Sequence, residues 1–210
     1  MEPQKPSLLH RVWRVARIPL IVIAVLYAAL LIYRFPAVLE QMKTKEVVDK
    51  IHAQKLTLKD VVGENLPPEP DPALKDATVE GVDANGNGIR DDVELAIFKE
   101  YPNSAKTRAV LLQYALALQM EVVQPIVNEG TVTAVAQDEG RAYYCVGEIT
   151  PRTDMKKFIE IGDKLHEFVE TRQLNTETRK KARRDFYTGH LTSYSSLRES
   201  CDLDLSALPN

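Results

Sequence analysis

Sixteen consecutive positions, Ile18 to Tyr33, read IPLIVIAVLYAALLIY and carry no charge. As a helix they rise about 24 Å at 1.5 Å per residue. That falls slightly short of a hydrocarbon core roughly 30 Å thick. Arg17 and Arg34 bracket the run, and both extend it by keeping alkyl stems in the apolar zone and guanidinium groups at the headgroups. Trp13 and Tyr33 fall where interfacial aromatic rings gather. Pro19 sits in the first turn, where a missing N–H costs little. The run therefore predicts a transmembrane anchor over 18–34. Two other readings stay open. A basic start and an apolar centre also fit a cleaved signal peptide, which would leave a secreted protein. Arg34, Phe35 and Pro36 make poor neighbours for a cleavage site, however. A buried core helix is the other alternative, although it has little need of apolarity on every face.

Flanking charge does not orient the span. Lys5, Arg11, Arg14 and Arg17 precede it, and Arg34, Lys43, Lys45 and Lys50 follow, so the positive-inside count is tied. Cysteine usage favours export of the larger part. Cys145 and Cys201 are the two cysteines of the chain, an even number able to pair in an oxidising compartment. Pairing would pin the C-terminal tail and stabilise by about 4 kcal/mol in the chain-entropy model. Two separate buried thiols are the alternative. The short N-terminus is read as cytoplasmic and the C-terminal domain as extracytoplasmic (periplasmic in a bacterium).

Beyond the span, Pro36 can open a helical stalk with Val38, Met42, Val47, Val48 and Ile51 at roughly helical spacing. Pro67, Pro68, Pro70 and Pro72 then exclude a helix and favour a stiff, extended linker. After Asp91 the pattern is helical to the end. Val93, Ile97 and Phe98 make a short helix that breaks near Pro102. Ser104 caps a strongly apolar helix that Pro125 kinks or ends. Gln113, Gln119, Glu121 and Gln124 argue against its being a second span, since each would lie unsatisfied in lipid. Further helices are expected over Thr131–Ile149, from Pro151 and Thr153 onward, and from Glu177 to about Arg198 after a Thr176 cap. The fold class is all-α, an irregular helical bundle.

Charge is concentrated in one place. The chain as a whole is −3, which argues against a general nucleic-acid binder. Residues 63–100 alone hold ten acids against three bases. That excess is what a divalent cation would neutralise. Within the segment, residues 83–94 read DANGNGIRDDVE. Ca²⁺ takes six to eight oxygens, and a twelve-residue loop supplies them from positions 1, 3, 5, 7, 9 and 12. Those positions are Asp83, Asn85, Asn87, the carbonyl of Ile89, Asp91 and Glu94, with Gly88 at the sharp turn of position 6. An Asn/Gly-rich surface turn is the plainer alternative, but it gives no reason for Asp91 and Glu94 to occupy the two remaining ligand positions.

This segment resembles the EF-hand-like calcium loops of thrombospondin type 3 repeats and related extracellular bacterial proteins. The resemblance covers twelve residues and assigns ligand roles to the same six positions. Unlike a true EF-hand, the loop has Arg90 at position 8 and a proline-rich stretch where an entering helix would lie. Unlike the repeat proteins, it occurs once.

No catalytic signature emerges. The chain has no HExxH helix, GxSxG elbow or phosphate loop. An enzyme on this chain would need a site assembled from distant residues such as Glu121, Tyr144, His166 and His190. Arg179, Lys180, Lys181, Arg183 and Arg184 form a basic patch, read as a solvated helix face, with lipid headgroups or an acidic polymer as the alternative partner. The expected organisation is therefore a cytoplasmic N-terminus (1–17), an anchor in the lipid bilayer (18–34), a stalk (35–63), a Pro-rich linker (64–82), a calcium loop (83–94) and a bundle domain (95–210). Its expected role is binding or assembly with a protein partner, with an extracytoplasmic enzyme as the alternative.

Overall fold

The apolar run and the twenty residues after it form one helix, α1 (Leu8–Ala53), in the computed structural model of the chain. Residues 8–209 are described, without the side chains of 8–12 and 14–16. Lys5 and the start of the expected cytoplasmic segment lie outside them. α1 is long and apolar enough to cross a membrane, and none of its most apolar stretch is buried in the fold. Pro19 and Pro36 both lie inside it. The helix expected to begin at Pro36 instead passes through that residue, and one carbonyl of the preceding turn loses its N–H donor.

Two compact units divide between Glu46 and Val47. Residues 47–63, assigned from sequence to the stalk, fold with the second unit. Ile51, Leu56 and Val61 are buried in its core. A short helix, α2 (Leu58–Val62), comes next, and Gly63 stops it at φ 84°, a left-handed conformation that glycine adopts without strain.

At the centre of this unit lies α4 (Ala105–Val123), where every residue from Arg108 to Glu121 is buried. It is buried on every side because α2, α3 (Asp91–Glu100), α5 (Glu129–Val146), α6 (Met155–Gln173) and α7 (Glu177–Tyr187) all pack on it. Ser104 caps α4 as expected, its Oγ accepting from Thr107 N–H. α6 begins at Met155 with Asp154 as its cap, later than the opening expected from Pro151 and Thr153. Among the described residues there is no strand.

Three of the buried polar side chains of α4, Arg108, Gln113 and Gln119, each reach a segment that lacks regular structure. Gln113 donates to the Ser200 carbonyl at 2.7 Å and accepts from Asp202 N–H at 2.9 Å. Gln119 donates to the Glu80 carbonyl at 2.8 Å and accepts from Gln173. Arg108 reaches the carbonyls of Val61, Tyr101 and Pro102. These residues are fasteners.

Two expectations change. The proline-rich stretch is not a free linker, because Arg179 on α7 donates to the carbonyls of Lys75, Thr78 and Val79 and pairs with Asp76 at 2.6 Å. The basic patch is likewise not one solvated face. Arg179 is wholly buried, and Arg183 pairs with buried Glu121 at 2.6 Å. α7 also ends at Tyr187, well before Arg198, where Thr188 and Gly189 (φ 77°) turn the chain away. The segment after it leads to Cys201, which is disulfide-bonded to Cys145.

Candidate metal-binding loop

Residues 83–91 close on themselves through side chain to backbone bonds. Asp83 Oδ1 accepts from Gly86 and Asn87 N–H, and its Oδ2 accepts from Gly88 N–H at 2.8 Å. Asn87 Oδ1 accepts from Ile89 N–H at 2.9 Å. Asp91 accepts from Ala84 N–H and heads α3, where negative charge suits the exposed N–H groups. Gly86 and Gly88 take φ of 70° and 84°. At Gly88 the positive φ disfavours any side chain, and a Cβ would also force the Gln54 amide, 2.1 Å away, to move aside. The Ile89 side chain is fully buried and anchors the loop to the core.

Glu94, one turn into α3, is the unusual member. It is 0% exposed. Its Oε2 accepts from the side-chain amides of Asn85 and Asn87 at 3.1 and 3.0 Å, and its Oε1 is buried without a partner. Burial pushes its carboxyl up to about 7, against those two amide bonds, and the charges of Asp60 and Asp91 push the same way. A buried carboxylate with an orphaned oxygen is costly unless positive charge reaches it. Asp91 is raised for the same first reason, burial, which outweighs its bond from Ala84.

Of the six sequence-assigned ligands, the structure brings together Asn85, Asn87 and Glu94. Asp83 is exposed, and its contacts are with loop amides; Asp91 is buried beside them. Both asparagines direct N–H groups, not oxygens, at Glu94. Among the described residues no three His, Cys, Asp or Glu side chains are gathered as a metal cluster. A loop of this kind draws half its donors from amide and main-chain oxygens. Its donor set is hard oxygen throughout, which fits Ca²⁺ and does not fit a thiolate- or imidazole-binding metal.

The residues named for a hidden enzyme site do not converge. Tyr144 and His166 line one cleft of about 520 Å³, with Tyr143 stacked on the imidazole at 3.8 Å; neither Glu121 nor His190 lines it. Comparison with family models, curated proteins and solved structures finds no match to this chain. Its chemistry rests on these residues alone.

Glu121 belongs to a buried network instead. Its Oε1 accepts from Tyr187 Oη at 2.6 Å and its Oε2 faces Arg183. Burial dominates and pushes its carboxyl up to about 7, although Arg183 and Tyr187 oppose the shift. Below the ordinary value of 4.5 the group is protonated in both the folded and the unfolded chain. As pH rises towards 7, the unfolded chain ionises first and the fold loses stability, by on the order of 3 kcal/mol across the window. Urea unfolding at pH 5 and pH 7.5 should register that loss, and Glu121→Gln should reduce the difference to the part contributed by Glu94, which burial raises alike. An equally steep dependence in the variant would assign the effect elsewhere.

Proposed function

We propose that this chain is a single-pass membrane protein whose helical domain lies outside the cytoplasm, is stabilised by one Ca²⁺ ion, and works by binding or assembling with a protein partner. α1 supplies the anchor, and the Cys145–Cys201 bond suits an oxidising compartment. Asp83, Asn85, Asn87, the Ile89 carbonyl, Asp91 and Glu94 would hold the ion. Its chemistry there is neutralisation of buried negative charge and closure of the loop. The observation that carries the reading is Glu94 itself: a fully buried carboxylate with an unpartnered oxygen, at the loop position that ligates through both oxygens.

With three carboxylates and two amides, the expected affinity is weak, on the order of 10⁻⁴ to 10⁻³ M, as in extracellular modules. A binding role is preferred to a catalytic one because Arg108, Gln113 and Gln119 of the central helix are spent on holding chain segments and Glu121 on a buried pair with Arg183. Calorimetry on the full chain in detergent micelles should give one calcium-binding event. Glu94→Ala should abolish it. Absence of calcium heat in the unaltered chain overturns the metal reading.

A further inference from the structure

The cleft of about 520 Å³ between α5 and α6 is walled by rings. Tyr143 lies flat on the His166 imidazole, centroids 3.8 Å apart, and His166 Nε2–H donates to the Tyr143 carbonyl at 3.2 Å. That contact fixes the Tyr143 ring. Tyr144 stands at 89° to it with centroids 6.2 Å apart, and is 66% exposed. Phe158 closes another side by packing over Gly147, where a Cβ would meet its ring at 3.3 Å. Gly162 lines the cleft from the interior of α6, and a Cβ there would meet nothing within 4 Å. Glycine inside a helix is less stable than alanine, and no close neighbour accounts for it at this position. What it leaves is room.

The charge of this cleft has one sign. Glu148 and Arg152 pair at 2.6 Å and cancel each other. Burial holds the His166 imidazole below its ordinary value, so it is neutral at pH 7. Among the described residues Asp163 is the remaining charged group at the wall. After burial, the charges of Asp163, Glu170 and Glu139 push the Tyr143 hydroxyl up, so the potential around that ring is negative. Ring faces attract a cation lying within about 6 Å, more strongly where water is excluded.

We propose that the cleft between α5 and α6 binds a small organic cation with an apolar body, such as a quaternary ammonium, through the rings of Tyr143, Tyr144 and Phe158 and the carboxylate of Asp163. An anion would meet repulsion from Asp163, and a neutral hydrocarbon would leave that carboxylate unused. The cleft shares no residue with the calcium loop, so either reading can fail without the other.

Choline serves as the probe, with its neutral carbon analogue, in which a tert-butyl group replaces the trimethylammonium, as the control. Each is titrated calorimetrically into the full chain in non-ionic detergent micelles. Choline should bind, and the neutral analogue should bind about tenfold more weakly or less. Tyr144→Ala, at an exposed helical position, should weaken choline about tenfold, and Asp163→Asn about threefold. Gly162→Leu places a better helix former in the open space. It should abolish choline binding while the melting temperature holds or rises. No choline binding in the unaltered chain, equal binding of the neutral analogue, or unchanged binding in both Tyr144→Ala and Gly162→Leu would each overturn the proposal.

Discussion

Replacing Arg179 by alanine should cost about 3–5 kcal/mol, the range for removing one partner of a buried charge network. Against a typical total of roughly 5–15 kcal/mol, that is enough to unfold much of the population. The guanidinium is 0% exposed, pairs with Asp76 and Asn175 at 2.6 Å, and donates to three carbonyls of residues 75–79. Arg90, equally buried, lies alongside; it binds Asp92 and the Gln173 carbonyl and approaches Asp76 at 3.7 Å. The two arginines press so closely on Gly81 that a Cβ there would meet each near 3.0 Å. Truncating Arg179 removes the guanidinium donor from three strap carbonyls and from Asp76, which keeps only the Asn175 amide and the more distant Arg90. Lysine should rescue little, since one ammonium cannot reproduce the planar fork. Urea melts followed by circular dichroism measure the loss. A variant as stable as the parent would mean the strap contributes nothing.

The second large effect is expected from the disulfide. Cys145 and Cys201 are 56 positions apart, and opening a loop of that size should cost about 4 kcal/mol in the chain-entropy model. The tail has other holds. Asp202 pairs with Arg141 at 2.6 Å and accepts from Leu56 N–H at 3.0 Å, and Leu208 is buried. Reduction should therefore lower the melting temperature without releasing the tail completely, and the double serine variant should match the reduced protein. Mass spectrometry without reductant checks the bond. Identical melting with and without reductant would remove the disulfide from any account of stability.

Signals in the sequence are legible where the structure is local. Ser104 and Pro125 bound the central helix, and the twelve-residue spacing from Asp83 to Glu94 marks out the loop. They mislead where a partner lies far away along the chain. Residues 64–82 look like a linker because four prolines exclude a helix, and nothing nearby shows that Arg179 holds their carbonyls. The same arginine looks solvated because its neighbours are Lys180 and Lys181, which are exposed. Leu191, Tyr194 and Arg198 keep a helical rhythm past Gly189, whose positive φ ends that continuity, so α7 is shorter than its pattern suggests.

The strap over residues 75–80 is fastened through carbonyls, and every residue type carries a carbonyl. Substitutions at Lys75, Val79 and Glu80 should therefore leave the fastening intact, while those at Arg179 and Gln119, which grip the carbonyls, should not. Sequence divergence in this stretch would look like neutrality. A designer who took it for a dispensable spacer and shortened it would strip the acceptors from two buried side chains.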